Sequence, residues 1–74
     1  MRRKITQAEF EELYQKHQEW LKDKSLPKVS FENIDFIGIN FTKCKSFANA
    51  VFRQANLCGT DLSGADFTGA IIKK

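Results

Sequence analysis

The residues that could carry out chemistry are few and lie far apart in the chain. His17 is the only histidine among the 74 residues, and it has no neighbouring second ligand or catalytic partner. The carboxylates Asp35, Asp61 and Asp66 each stand directly before a Phe or Leu residue. Asp at such turn-rich positions typically accepts hydrogen bonds from local backbone rather than working as a paired acid and base. The sequence therefore predicts no catalytic site, no metal, no cofactor and no enzymatic activity.

The two cysteines also fail to form a recognisable chemical site. Cys44 and Cys58 lack metal-ligand spacing and have no second pair of cysteines or histidines beside them. Two unpaired thiols favour the cytoplasm, where cysteines stay reduced. No stretch approaches the roughly 20 apolar residues that a membrane span requires, and no apolar region follows the basic N-terminus as it would in a signal peptide.

A five-residue period positions almost every large apolar residue between Val29 and Lys74. We call the central residue of each unit i. The central residues are Phe31, Phe36, Phe41, Phe47, Phe52, Leu57, Leu62, Phe67 and Ile72. One step, from Phe41 to Phe47, spans six residues. Position i−2 is apolar or small, i−1 is mostly polar, and i+2 is Gly or Asn in six of nine units, which favours turns with positive φ.

This period predicts a coiled backbone rather than a helix or long strands. Inward positions two residues apart, followed by a turn, describe a very short strand with one inward face. A period of five drifts around a helix of 3.6 residues per turn, so an amphipathic helix is excluded. The remaining solution is a coil with short strands as sides and turns as corners, its successive layers about 4.8 Å apart.

An amphipathic helix is predicted over residues 6–24, ahead of the repeats. Thr6 is a good N-cap, and Glu9 three residues later completes a capping box. Pro27 prevents continuation of the helix. The apolar stripe of this helix consists of Phe10, Leu13, Tyr14, His17, Trp20 and Leu21.

The apolar stripe needs a surface to cover it. We expect the helix to lie as a lid over the first repeats, because terminal repeats of a solenoid require caps. The alternative is that Tyr14 and Trp20 also anchor a partner protein, since such residues dominate interface energies. His17 is expected to be a packing residue at the boundary of this interface.

Residues 29–72 resemble the pentapeptide-repeat family. The family consensus is a small residue, Asp or Asn, Leu or Phe, a polar residue and Gly, and the units ANLCG, TDLSG and ADFTG match it closely. The resemblance implies a mainly β fold: a right-handed quadrilateral β-helix of about two coils, with four repeats per coil, after one N-terminal α-helix. It divides the chain into a capping helix and linker (1–28) and a repeat β-helix (29–74).

Four units per coil predict which side chains stack. The expected columns are Phe31 with Phe52 and Ile72, Phe36 with Leu57, Phe41 with Leu62, and Phe47 with Phe67. The extra residue should place Cys44 inward, because an inward Lys45 would bury a charge, and should produce a bulge at Lys45 or Ser46. Larger residues at i−2 in the first units predict a wider or less regular first coil.

Two kinds of contact surface follow from these columns. At the C-terminal end, Phe67, Ile71 and Ile72 should be exposed on the last coil. On the sides, Ile37 should stack with Cys58 and Val51 with Ile71, giving outward apolar pairs where the family usually has polar residues. An open last coil has three remedies: a homodimer through the C-terminal coil, another protein partner, or a longer parent chain. Members of the family often dimerise through their C-terminal ends.

The predicted function is a non-enzymatic protein–protein interaction or scaffold module that self-associates. The alternative is an inhibitor, either a topoisomerase-directed DNA mimic or a phage-encoded anti-defence protein. A net charge of +3 is unlike the strongly acidic surface of such mimics. Direct nucleic-acid binding is not expected either, because Arg2, Arg3 and Lys4 form only a small basic tip.

Overall fold

The computed structural model describes residues 2–72, in which one α-helix precedes the repeat region. The elements in chain order are β1 (Arg3–Lys4), α1 (Gln7–Lys22) and β2 (Ile34–Asp35). Within residues 2–72, no helix combines the length and the apolar character that a bilayer span requires. The predicted N-terminal helix is therefore confirmed, whereas regular strand is confined to two short segments.

Helix α1 begins where the sequence predicts a capping box. The hydroxyl of Thr6 accepts a hydrogen bond from the backbone N–H of Glu9 at 3.1 Å, and the Glu9 carboxylate accepts one from the N–H of Thr6 at 2.8 Å. These two bonds satisfy backbone donors that have no partner within the helix. Ile5, just before the N-cap, and Phe10, the fourth helical residue, are both buried in the same core. This is the residue pair of a hydrophobic staple.

Helix α1 ends at Lys22, two residues before the predicted end at Lys24. Asp23 has an extended backbone with φ −139°, and its carboxylate accepts hydrogen bonds from the N–H and the hydroxyl of Ser25. This local turn competes with continuation of the helix, because the short polar side chain of Asp23 offers the backbone of Ser25 an alternative hydrogen-bond partner. The helix thus ends five residues before Pro27, which is not its immediate terminator.

The seven repeat units centred on Phe36 to Phe67 close with the same tight turn. The N–H three residues after a central residue donates to that residue's carbonyl, as from Ile39 to Phe36 at 3.0 Å and from Ala50 to Phe47 at 3.0 Å. The residue at i+2 has positive φ in seven of the eight units whose i+2 residue is described, and Lys43 is the exception. The i+2 residues with positive φ are Asn33, Gly38, Asn49, Gln54, Gly59, Gly64 and Gly69.

The polar residue at i−1 supports the turn from the other side. The Asp35 carboxylate accepts the N–H of Ile37 at 3.0 Å, and the Asp66 carboxylate accepts the N–H of Thr68 at 2.9 Å. Asp61 makes the same bond to its unit. The prediction that these carboxylates bind local backbone is confirmed. Hydrogen bonds from the side chains of Ser63 and Thr68, and then from their backbone N–H groups, hold the pKa of Asp61 and of Asp66 below the usual value, because they favour the charged form.

Units four steps apart lie side by side. Parallel bridges join Asp35 to Asn56, Ser46 to Asp66 and Val51 to Ile71, so the bridged residues are 20 or 21 positions apart. We call residues 29–49 the first layer and residues 50–69 the second layer. Regular strands stay short because a turn follows every pair of ladder hydrogen bonds.

The interior of the two layers is a set of stacked aromatic rings. Phe31 and Phe52 lie parallel with ring centroids 4.9 Å apart, and Phe47 and Phe67 lie parallel at 5.5 Å. Both predicted columns are confirmed. Phe36 and Leu57 directly follow the bridged residues Asp35 and Asn56, as predicted.

The column of Phe41 and Leu62 is less regular than the other three. Within the described residues no bridge joins their units, although Leu62 packs against the same core. The additional residue in this part of the chain accounts for the difference. The Cys44 N–H closes the turn by donating to the carbonyl of Phe41 at 2.9 Å. The bond to the second layer is made by the next residue, because the carbonyl of Lys45 accepts the N–H of Asp66 at 2.7 Å.

Two consecutive residues therefore occupy the i−2 place that a single residue fills in every other unit. This is the arrangement of a β-bulge. Cys44 is 6% exposed and faces inward, as predicted. The bulge includes Lys45 rather than Ser46, and the Lys45 ammonium reaches the carbonyl of Ser63 at 2.5 Å.

Candidate functional site

The hydrogen bonds between the layers show which backbone groups of each unit point toward the preceding layer. The N–H of Phe36 donates to the carbonyl of Asn56, and the N–H of Asn56 donates back to the carbonyl of Ile34, both at 2.9 Å. The residue at i−1 thus directs both its N–H and its carbonyl toward the preceding layer. In the first layer these residues are Ser30, Asp35, Asn40 and Ser46. They form the open edge that a cap must satisfy, since unpaired strand edges promote association.

Gln7 of α1 covers one part of this edge. Its side-chain carbonyl accepts the N–H of Asn40 at 2.8 Å, and its side-chain amide donates to the carbonyl of Asn40 at 2.9 Å. A carboxamide carries the same donor and acceptor as a peptide group. Gln7 therefore takes the place that a residue of a neighbouring strand would occupy.

Tyr14 and Gln18 cover the next part of the edge. The Tyr14 hydroxyl accepts the N–H groups of Lys45 at 3.2 Å and of Ser46 at 3.1 Å. The Gln18 amide donates to the carbonyl of Ser46 at 2.8 Å. Two side chains one helical turn apart thus bind the backbone N–H groups of Lys45 and Ser46 and the carbonyl of Ser46, next to the bulge.

Strand β1 covers a third part of the edge by direct backbone pairing. Arg3 lies opposite Ile34 and Lys4 opposite Asp35, in parallel register. Arg2 adds a bond from its guanidinium Nε to the carbonyl of Gln54 at 2.6 Å. The sequence predicted a solvated basic tip here. The side chains are exposed as expected, but the backbone is part of the cap.

Phe10 anchors the cap in the aromatic core. Its side chain is 0% exposed, and its ring lies 4.4 Å from that of Phe41, 6.0 Å from Phe36 and 6.3 Å from Phe47. Although Phe10 belongs to the helix, its ring packs where the central residue of a preceding layer would pack. The predicted lid over the first repeats is what the structure shows.

His17 lies deeper than the predicted boundary position, because its side chain is 0% exposed. Nε2–H donates to the carbonyl of Ala48 at 3.0 Å, and Nδ1 has no hydrogen-bond partner among the described residues. The imidazole stacks between the rings of Trp20 and Phe47. Burial lowers the pKa of His17, and the positive charges of Lys28 and Lys24 lower it further, while the bond to Ala48 opposes them.

The free energy of unfolding should fall as the pH drops below the ordinary histidine pKa of 6.5. The unfolded chain binds a proton there that the folded protein excludes, so protonation favours unfolding until the folded-state pKa is passed. Denaturant titrations from about pH 7 to about pH 5, above the range of the carboxylates, would measure this slope. His17→Gln keeps a donor for Ala48 and should flatten it. An equal slope in both proteins would contradict the assignment to His17.

Trp20, a candidate partner contact, sits at the margin of the cap. Its ring is half-buried and lies 5.7 Å from the ring of His17. The ammonium groups of Lys24 and Lys28 lie 5.0 Å and 4.9 Å from its centroid, a favourable cation–π arrangement. Tyr14, the other helical candidate, is half-buried with its hydroxyl bound to backbone, so it serves the cap.

The candidates at the C-terminal end lie on a much less buried surface. Phe67 is half-buried and stacks on Phe47, Ile71 is half-buried and bridged to Val51, and Ile72 is 51% exposed. The central residues of the first layer, in contrast, are at most 2% exposed. The two ends of the layered region therefore differ: one is covered by α1 and β1, and the other presents partly exposed apolar side chains.

The candidates on the sides differ in exposure, and Val51 and Ile71 are half-buried. Ile37 is 59% exposed, and the free thiol of Cys58 is also exposed. The two follow the bridged residues Asp35 and Asn56 by two positions each, so they stand side by side. Cys44 is likewise free, and burial raises the pKa of its thiol. The described residues 2–72 contain no cluster of three His, Cys, Asp or Glu side chains that could hold a metal ion.

Comparison with known proteins identifies the later repeats. A family model described as "Pentapeptide repeats (8 copies)" matches residues 46–74. No match was found among curated proteins or among solved structures. The match begins after the bulge, although residues 29–45 form the same turns, and Ile34 and Ile39 at i−2 are larger than the small residues of later units. Residues 46–74 are therefore a pentapeptide-repeat segment, and repeats of this kind are generally non-enzymatic structural or interaction modules.

Proposed function

We propose that this protein is a protein–protein interaction module without enzymatic activity. The repeats wind into a right-handed quadrilateral β-helix of about two coils, with α1 and β1 as its cap. Bridges between residues 20 or 21 positions apart support four five-residue units per coil. A stack of short strands around a filled core provides a rigid surface with little conformational entropy to lose on binding.

The C-terminal end carries the binding surface in this proposal. The single observation behind it is a difference in burial. The four central residues of the first layer are at most 2% exposed, whereas in the second layer only Phe52 is fully buried and Leu57, Leu62 and Phe67 are half-buried. Partly exposed apolar side chains that continue the interior columns favour a partner that stacks on them.

A second copy of the chain is the partner that best fits this surface. Two identical ends related by a two-fold axis would place like apolar columns against each other, as in isologous interfaces. Ile71 and Ile72 extend the same surface and would be buried in such a dimer. Cytoplasmic residence, which suits two free thiols, and a further protein partner remain predictions from the sequence.

Size-exclusion chromatography coupled to light scattering across a broad concentration series tests this proposal. We expect the wild type to approach twice the monomer mass, and Ile72→Glu to raise the dimer dissociation constant by at least about tenfold, because an unpaired carboxylate resists burial. Ile37→Glu is the matched control, since Ile37 is similarly exposed but lies on a side of the stack. A monomer at every concentration would contradict the dimer, and dissociation by Ile37→Glu alone would move the interface to the side.

The alternative of a DNA-mimicking or anti-defence inhibitor has less support. Mimicry requires a continuous acidic face, but Glu32, Asp35, Asp61 and Asp66 belong to four different positions in the cycle of four units. Three of these carboxylates are also engaged in local turns. We therefore retain the interaction module as the proposed function.

A further inference from the structure

The cap leaves one part of the first-layer edge open. Asp35 pairs with β1, Asn40 with Gln7, and Ser46 with Tyr14 and Gln18. Ser30 holds the equivalent i−1 position in the first unit. Its side chain makes local bonds with Glu32, but among residues 2–72 its backbone N–H and carbonyl have no hydrogen-bond partner. Ser30 is an exposed residue, and among the four i−1 residues of the first layer it is the one whose backbone pair has no partner within the described residues.

A groove lies beside this open backbone pair. One wall is helical, and the other is the linker that leads into the first unit. The lining residues are Leu13, Lys16, Glu19, Leu26, Pro27, Lys28, Val29 and Ser30, around a volume of about 430 Å³. That volume falls within the range of natural binding clefts. The groove therefore combines apolar lining residues with the unpaired backbone of Ser30.

The dimensions of the groove suit an extended chain. From Leu13 to Glu19 the helical wall rises by about 9 Å, a length that roughly three residues of extended backbone span. A strand placed there, one strand spacing from Ser30, would occupy the position that β1 holds next to Asp35. The edge would then be paired along its whole course.

The charges around the groove favour an acidic occupant. Lys16 and Lys28 bring two ammonium groups, against the single carboxylate of Glu19. Lys16 also lies 3.9 Å from Glu12, in a largely exposed pair that holds it only weakly. The Lys28 ammonium rests over Trp20, which links the groove to the aromatic margin of the cap.

We propose that this groove binds an extended peptide segment of a partner protein by strand addition to Ser30. The segment would carry apolar residues toward Leu13, Leu26 and Val29 and at least one acidic residue toward Lys16 or Lys28. Backbone hydrogen bonds supply affinity in strand addition, and side-chain pockets supply specificity. The groove is separate from the C-terminal surface, and this inference rests only on the general role of an interaction module.

Amide hydrogen exchange in the free protein is the first test. The Ser30 amide should exchange much faster than those of Asn40 and Ser46, its capped equivalents in the neighbouring units. Protection of Ser30 equal to that of Asn40 would show that the edge is already closed and would overturn the proposal. Protection that grows with protein concentration would assign the groove to a second copy of the chain, which also contradicts a peptide segment.

Titration with designed peptides, followed by NMR shifts of the Ser30 amide, is the second test. The probes are an acetylated, amidated heptapeptide of alternating valine and glutamate, its lysine counterpart, and the acidic peptide with N-methylated backbone amides. Only the first should shift and protect Ser30. No effect of the first peptide, or equal binding of the N-methylated one, would rule out strand addition, whereas the dimer measured by light scattering would be unaffected.

Charge variants complete the design. Lys28→Glu should weaken binding of the acidic peptide by about three- to tenfold, the range expected for reversing one exposed pairing. Lys43→Glu changes the net charge equally but lies outside the groove lining, so it is the matched control. Equal weakening by both variants would mean that only overall charge attracts the peptide, and would contradict a built site.

Discussion

Phe52→Asp should abolish folding of the repeat region. The Phe52 side chain is 0% exposed and contacts the rings of Phe31, Phe36, Phe47 and Phe67. Loss of this ring alone costs about 3–5 kcal/mol, and an unpaired buried carboxylate adds to that. The two costs together are comparable to the whole free energy of unfolding of a small domain, which starts at about 5 kcal/mol. Circular dichroism and one-dimensional NMR would show an unfolded chain.

Arg53→Asp is the adjacent control. Arg53 follows Phe52 directly but is exposed, so the free energy of unfolding should change by less than about 0.5 kcal/mol. The two variants place the same aspartate at neighbouring sites, one buried and one exposed. Any difference in their stability therefore reports whether the site faces the core. If Phe52→Asp melted like the wild type, the inward assignment of the central residues would be wrong.

Phe10→Ala should release the cap, with the second-largest effect. Phe10 is fully buried among Tyr14, Phe36, Phe41 and Phe47, and truncation of such a ring costs about 3–5 kcal/mol. The edge beneath α1 would then lose its polar partners as well. Denaturant unfolding measures the loss of stability, and hydrogen exchange should accelerate at Asn40 and Ser46.

Glu12→Ala on the exposed face of the same helix should change stability by less than about 0.5 kcal/mol, since its ion pair with Lys16 is solvated. The comparison separates packing of the cap from the helical propensity of α1. Unchanged exchange at Asn40 and Ser46 in Phe10→Ala would contradict the role of the cap in closing the edge.

The repeat architecture could be predicted because two residue types report it independently. Phe and Leu at i require an interior column, and Gly or Asn at i+2 requires a turn, so both give the same five-residue period. Gln54 shows how far the geometry extends beyond the sequence signal. It has φ 63° although it is neither Gly nor Asn, and its unit still closes with the bond from the Ala55 N–H to the Phe52 carbonyl at 3.0 Å.

The location of the cap could be predicted, but its hydrogen bonds could not. The apolar stripe and the capping box identified a helix over the first units. Gln7 and Gln18, in contrast, look like ordinary polar residues of a helix surface, and their role depends on which backbone groups lie opposite. The same holds for β1, whose two basic residues have no strand pattern of their own and pair because the edge of β2 is available.

The sequence predicts a boundary packing position for His17, because it lies on the apolar stripe with no second ligand or catalytic partner near it. The carbonyl of Ala48 makes full burial possible, since it accepts the Nε2 proton. That carbonyl belongs to the unit with the extra residue, whose backbone path the period alone does not describe. Irregular positions of a repeat are thus where side-chain environments are hardest to infer.

The most direct test of the layered repeat is a set of ring-to-ring nuclear Overhauser effects in isotopically labelled protein. We predict contacts between Phe31 and Phe52 and between Phe47 and Phe67, together with backbone contacts between Asp35 and Asn56. Such contacts join residues 20 or 21 positions apart. Their absence, with helical contacts between successive amides in residues 29–72, would contradict the stacked coil.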